Sequence, residues 1–143
     1  MKEILPGARR QEQTLVTPDA AIDFLGLDAA RVLSTPRLIG LLEMTCRNLL
    51  AEMLPPGQDS VGTHVDLRHL AATPVGMQVL CQAEILSVEG RRVNFRVEAF
   101  DEMERIAEGT HQRFVVDVER FAARVRAKSQ APRPSRPQTA AEA

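Results

Sequence analysis

The sequence predicts an α+β two-layer domain, with one long helix set against a curved antiparallel sheet of about five strands. Three features carry this reading. One uninterrupted helical pattern fills residues 34–54. Period-two alternation dominates residues 60–118 and is broken by turn signals at Thr73-Pro74-Val75-Gly76, at Glu89-Gly90 and at 101–104. A shorter strand pattern, 11–17, precedes the helix and is stopped by Pro18. The order is strand, helix, then four strands, which reads as an antiparallel meander.

The chain has 143 residues, enough for one domain with a real core. We place that domain at 1–128. Residues 129–143 carry three prolines and no apolar periodicity, and read as a disordered tail. At 44% apolar and 26% charged residues the composition is that of an ordinary globular protein. A net charge of -1, with no basic-aromatic clusters, argues against a nucleic-acid surface. The N-terminus lacks an apolar signal region and no apolar run is long enough to span a bilayer. Cys46 and Cys81 lie in apolar patterns without metal-ligand spacing, so buried thiols and a reducing cytoplasm are expected, with no metal.

The segment 18–33 suggests one or two short helical turns punctuated by Gly26. In the long helix, Thr35 can act as N-cap with Pro36 first in the helix, and Pro55-Pro56-Gly57 ends it. Leu38, Leu42, Cys46, Leu49, Leu50 and Met53 form one apolar arc at 100° per residue. Glu43 falls inside that arc, where a carboxylate is expensive to bury. Gly40 costs the helix about 1 kcal/mol against Ala, so close approach of another backbone or a ligand is expected there.

In the first strand after the helix, Thr63, Val65, Leu67 and His69 point one way and Gly62, His64, Asp66 and Arg68 the other. Met77, Val79, Cys81, Ala83 and Ile85 form the next apolar face, then Val93, Phe95, Val97 and Ala99. The last strand, 106–118, carries Thr110, Gln112, Phe114, Val116 and Val118 on one side. Residues 119–128 are charged and helix-compatible. A helix this apolar favours a sheet that curls around it, the hotdog arrangement.

The alternation puts His69 on the face that meets the helix, and Glu43 on the helix face that meets the sheet. Thr35 lies about two turns from Glu43. A hydroxyl, a carboxylate and an imidazole converging in this way suit acyl transfer, with helix N-terminal amides available to a developing oxyanion. Each also has a purely structural reading: Thr35 as a cap, His69 as a satisfied histidine, Glu43 as an edge carboxylate. His64 and His111 show no partner and read as structural.

Thr35-Pro36-Arg37-Leu38-Ile39-Gly40-Leu41-Leu42-Glu43, Val61-Gly62-Thr63, His69-Leu70-Ala71-Ala72-Thr73-Pro74, Ser87-Val88-Glu89-Gly90-Arg91-Arg92 and Gly109-Thr110-His111 occur in order. In these motifs the chain closely resembles the fluoroacetyl-CoA thioesterase-like family of hotdog acyl-CoA thioesterases, over about residues 33–126. The resemblance implies catalytic Thr35, Glu43 and His69, with Gly62 beside the thioester and Thr63, Gly40 and Arg37 around the substrate. It implies hydrolysis of acyl-CoA to a free acid and CoA, with no cofactor beyond the CoA of the substrate. It also implies a homodimer joined edge to edge, with sites at the interface and scope for a higher oligomer. In the expected mechanism Glu43 attacks the thioester or activates water, His69 polarises or shuttles a proton, and Thr35 holds the carbonyl.

The fluoroacetate-specific member carries a phenylalanine-containing lid before its helix. Here that stretch, 24–32, has only Phe24, so fluoroacetyl selectivity is not expected. Leu25, Leu27 and Val32 should form an aliphatic wall for a short- or medium-chain acyl group. Arg37, Arg68, Arg91 and Arg92 are candidates for CoA phosphates. The alternative is a non-catalytic hotdog module that binds acyl-CoA or another pantetheine ligand. A hydratase ranks third, because Asp66 and His69 fall on opposite strand faces.

Overall fold

The computed structural model describes residues 3–23 and 25–135. A five-stranded antiparallel sheet is built from β1 (Arg9–Leu15), β2 (Gln58–His69), β3 (Gln78–Glu89), β4 (Arg92–Phe100) and β5 (Arg105–Asp117). Helix α1 (Thr35–Ala51) packs on all five strands, and α2 (Val118–Gln130) follows β5. Short 3-10 turns at Pro18–Ala20 and Asp28–Ala30 fill the segment before α1. The central helix wrapped by a sheet is the hotdog fold.

The strand order is β1-β3-β4-β5-β2, so the expected four-strand meander is only β3-β4-β5. β2 sits at the far edge beside β5. The connection after β2 makes this crossing possible, because its backbone groups are satisfied on the way. Leu70 N–H donates to Ile106, Thr73 C=O accepts from Leu33, and Gly76 N–H donates to Val16. The β3–β4 turn is the expected hairpin. Glu89 pairs with Arg92, and Gly90 has φ 63° while Arg91 has none of the positive φ, the pattern of a II′ turn.

The core is aliphatic. Leu38, Leu42, Cys46, Leu49 and Leu50 pack against Val79, Cys81, Ala83, Ile85, Val93, Phe95, Val97 and Ala99, all essentially buried. Thr45 is buried with them, and its one hydroxyl proton is shared between Leu41 C=O at 2.9 Å and Glu12 Oε1 at 3.1 Å.

Two local features differ from expectation and matter for the site. The N-cap of α1 is Ser34, whose Oγ accepts from Arg37 N–H at 3.3 Å. Thr35 is the first helical residue, and its hydroxyl is thereby spared from capping. The second is a bulge between Gly62 and His64 in β2, which leaves Thr63 out of the register with β5. Strict alternation would put Gly62 and His69 on opposite faces; the extra residue turns both toward α1.

At the C-terminus, α2 continues through Gln130, past the 128/129 boundary read from composition. The tail residues 136–143, and Phe24, lie outside the described residues.

Candidate active site

Two clusters of polar side chains lie between α1 and the sheet. At the N-terminal end of α1, Thr35 Oγ1 is 2.8 Å from His69 Nδ1. Thr35 is placed by the first helical turn and His69 by the last residue of β2. His69 Nε2 is buried and has no hydrogen-bond partner among the described residues. Burial pushes His69 below the ordinary histidine value, which favours the neutral imidazole. An open cavity of about 480 Å³ adjoins the pair, walled by Ile22, Val32, Leu33, Leu70 and Ala71. A hydroxyl in hydrogen-bond contact with a neutral imidazole is the geometry of a nucleophile and its base.

The second cluster lies two helical turns on, around Glu43. Its Oε2 is 3.3 Å from Arg113 Nη1. The Arg113 side chain is only 6% exposed, against 40% for Glu43. Arg113 is held on every side: Nε donates to Ser60 Oγ at 2.7 Å, Nη2 to Ser60 C=O at 2.8 Å, and Nη1 lies 3.2 Å from His111 Nε2. His111 Nδ1 is 2.8 Å from the His64 carbonyl, which can only accept. The His111 proton therefore sits on Nδ1, and Nε2 offers its lone pair to Arg113. Burial, and the neighbouring Arg113 charge, hold His111 below its ordinary value.

Gly62 brings this cluster together. A Cβ on Gly62 would lie 2.5 Å from Glu43 Oε2 and 3.1 Å from His111 Cε1. The carboxylate rests directly over the β2 backbone, at a place where a Cβ would displace it.

His111 and Arg113 were not among the residues singled out by sequence. His111 was read as structural, yet it orients the guanidinium that meets Glu43. The available signal was the alternation of β5, in which Ala107, His111, Arg113 and Val115 are all buried and Thr110 and Phe114 exposed. The adjacent apolar pair Val115-Val116 obscured that phase.

A profile of the fluoroacetyl-CoA-specific thioesterase family matches residues 16–119. A fluoroacetyl-CoA thioesterase from Streptantibioticus cattleyicolor is 45% identical over 100 residues, which cover 70% of this chain and 72% of that protein. The crystal structure of a point mutant of the fluoroacetyl-CoA-specific thioesterase FlK superposes with a TM-score of 0.82 at 37% identity, covering 90% of this chain and 99% of that one. A Thermus thermophilus thioesterase-superfamily member gives a TM-score of 0.82 at 28% identity, over 91% and 96% of the two chains. The chain belongs to the fluoroacetyl-CoA-specific thioesterase family.

Within this thioesterase family frame, the remaining expected positions resolve as follows. Thr63, in the bulge, is exposed and turns its hydroxyl to Gln112 C=O at 3.2 Å. Arg37 is half exposed and faces Asp19 at 3.8 Å. A Cβ on Gly40 would meet nothing within 4 Å, so no close approach among the described residues explains the glycine. Leu25 and Leu27 are 54% and 68% exposed and do not line the cavity beside Thr35. Of the expected aliphatic wall only Val32 does so, joined by Ile22 and Leu70. Burial pushes both thiols, Cys46 and Cys81, up to about 12, so neither is a nucleophile at neutral pH. Among the described residues no cluster of His, Cys, Asp and Glu could hold a metal, and no helix is long and apolar enough to cross a membrane.

Proposed function

We propose that this chain hydrolyses a short- or medium-chain aliphatic acyl-CoA to free acid and CoA, with Thr35 and His69 as the reacting pair. Thioester hydrolysis is the activity of the family to which it belongs. The observation that carries the assignment is the 2.8 Å contact between Thr35 Oγ1 and a partly buried His69 imidazole beside an open, apolar-walled cavity. His69 takes the proton from the Thr35 hydroxyl, or from a water held by it, as the oxygen attacks the thioester carbon. The proton then passes to the departing thiolate of CoA; where Thr35 itself attacks, His69 next takes a proton from a water that hydrolyses the acyl-Thr35 ester, which releases the acid and restores the hydroxyl.

Glu43 supports this reading in a different role from direct attack. One of its oxygens is committed to Arg113, and it sits eight residues along α1 from Thr35, about 12 Å at 1.5 Å per residue. The two clusters of one protomer are thus too far apart to act on one thioester carbon. A homodimer removes the difficulty. The outer edge of β2 is unpaired and Thr63, His64, Val65 and Asp66 are exposed along it. A twelve-residue open edge invites a partner strand. Antiparallel pairing of β2 with its own copy carries the His69 end of one protomer toward the Gly62 end of the other. Thr35 and His69 would then face Glu43 and Arg113 across the interface.

The cavity walls favour an aliphatic acyl group over fluoroacetyl. Two buried, unpaired thiols fit a reducing cytoplasm. Release of CoA from acetyl- through octanoyl-CoA, fluoroacetyl-CoA and phenylacetyl-CoA, read with a free-thiol reagent, tests the proposal. Turnover that peaks at an aliphatic chain and collapses in Thr35→Ala and His69→Ala supports it. Saturable binding with no turnover of any of these esters would leave the non-catalytic binding module. Sedimentation equilibrium tests the dimer, and a monomer at micromolar concentration would sink it.

A further inference from the structure

Helix α2 has no buried residue among its 13. Only its first turn touches the domain, where Phe121 is half-buried near Phe114. Its N-cap residue, Asp117, makes no capping bond, because the carboxylate is taken by Gln58 and Arg91, each at 3.1 Å. A free helix of this length is marginal in water. Yet α2 presents one apolar side at helical spacing, Val118, Phe121, Ala122 and Val125, with Val118 46% and Val125 52% exposed. Such a side needs a cover.

Charge narrows what can cover it. Arg120, Arg124, Arg126 and Lys128 flank the apolar side and Glu119 alone opposes them. Two copies of α2 would therefore repel each other. The chain as a whole has a net charge of -1, so its excess of acid lies outside this helix. The segment before α1 has the complementary character. Leu25 and Leu27 are the most exposed leucines after Leu5, at 54% and 68%. Exposed Asp23 and Asp28 stand beside them. Asp19 meets Arg37 at 3.8 Å, while Asp23 and Asp28 form no ion pair among the described residues.

Reach decides which copy of that segment is available. α2 starts at the Gln58 end of β2, where Val118 N–H donates to Gly57 C=O at 2.9 Å. The leucine segment is tied to the His69 end, through Leu33 N–H to Thr73 C=O and the bridge of Val32 to Pro74. The twelve residues of β2 separate the two ends by about 36 Å. α2 is about 20 Å long and falls short of its own leucine segment. Antiparallel pairing of two β2 edges brings the other copy's His69 end to where α2 begins.

We propose that α2 docks in trans on residues 21–31 of a second copy of this chain, apolar side on Leu25 and Leu27 and cations toward Asp23 and Asp28. The inference rests on the β2-edge dimer proposed above and goes beyond it. Residues 21–31 begin beside Ile22 and end beside Val32, which wall the Thr35–His69 cavity. The docked helix thus braces the cavity wall of the other protomer, and each site is completed by the neighbouring C-terminus.

Amide hydrogen exchange of the full chain, read by mass spectrometry beside sedimentation equilibrium, tests this. In the wild-type dimer, 118–130, 21–31 and the β2 edge should all exchange slowly. Leu27→Asp should speed exchange across 118–130 about tenfold or more, and Val125→Asp should do the same for 21–31, as expected for one lost apolar contact. Both residues are exposed within one protomer, so both variants should fold, and the β2 edge should stay slow in each. An α2 that exchanges as fast in the wild-type dimer as in Leu27→Asp would overturn the docking and leave the dimer standing. A slow α2 that Leu27→Asp does not change would overturn it too, by seating the helix elsewhere. A monomer with a fast β2 edge would remove the dimer and this contact together.

Discussion

Thr35 Oγ1 and His69 Nδ1 are 2.8 Å apart although 34 residues separate them in the chain. The contact exists because Ser34 caps α1 and leaves the Thr35 hydroxyl free. If that hydroxyl is the reacting oxygen or holds the reacting water, Thr35→Ala should lower kcat by about 100-fold or more. Thr35→Ser keeps the oxygen and should stay within about tenfold of wild type. Because Thr35 is exposed and is not the cap, neither change should move the thermal midpoint by more than a degree or two. A Ser34→Ala variant gives the opposite result, costing about 1 kcal/mol of stability through the lost cap and little activity.

Arg113 is a buried cation with one carboxylate in contact and two bonds to Ser60. Its removal leaves the Ser60 carbonyl and His111 Nε2 without their donor. Arg113→Met should therefore cost about 3 kcal/mol in urea unfolding. Glu43→Gln should cost far less, because Glu43 is 40% exposed and only its Oε2 meets a partner among the described residues. An equal cost for both variants would show that the ion pair itself, and not the Ser60 and His111 contacts, holds Arg113 in place.

Much of this was legible in the sequence. The 3.6 period of residues 38–50 and the period two of residues 79–99 fix which faces are buried, and the structure follows them. His69 was placed on the helix-facing side by counting from Val65. The Gly62 face was not, because a bulge shifts the phase by one residue and its one local mark, a lone glycine inside a strand pattern, reads equally as a close approach. The place of β2 at the far edge was hidden for a similar reason. Strand pairing is set by the path of the 70–77 connection, and its long-range bonds to Ile106, Leu33 and Val16 have no local sequence signal. Arg113 was missed because an arginine on a strand ordinarily faces water.

Two glycines make opposite predictions. A Cβ on Gly109 would lie 2.0 Å from Asp66 C=O and 2.9 Å from Leu67 Cα, both backbone atoms of the paired strand. Gly109→Ala must push β2 from β5 and should destabilise the fold by about 2–3 kcal/mol, or prevent folding. On Gly62 the same Cβ meets the Glu43 carboxylate, which can swing away. Gly62→Ala should fold with nearly wild-type stability and lose turnover, because it expels Glu43 from its seat. Retained turnover in a folded Gly62→Ala would remove Glu43 from the site.

The last prediction concerns pH. Burial holds His69 and His111 below the ordinary value of about 6.5. Their unfolded forms therefore bind protons more readily than their folded forms. Stability contributed by keeping them neutral is present above pH about 6.5 and is lost as pH falls through the folded values. The carboxylates Asp59 and Asp117, held low by Arg47 and by Gln58 with Arg91, lose their contributions only in the more acid carboxylate range. The urea midpoint of wild type should thus begin to fall below pH 6.5, before the carboxylates titrate. His111→Gln, which keeps a donor to His64 C=O and an acceptor for Arg113, should flatten that first step. The acid limb of kcat/KM should instead follow His69, whose neutral form takes the proton from Thr35, and should persist in His111→Gln. An acid limb that disappears with His111 would transfer the base to the second cluster and would reverse the roles assigned to the two histidines.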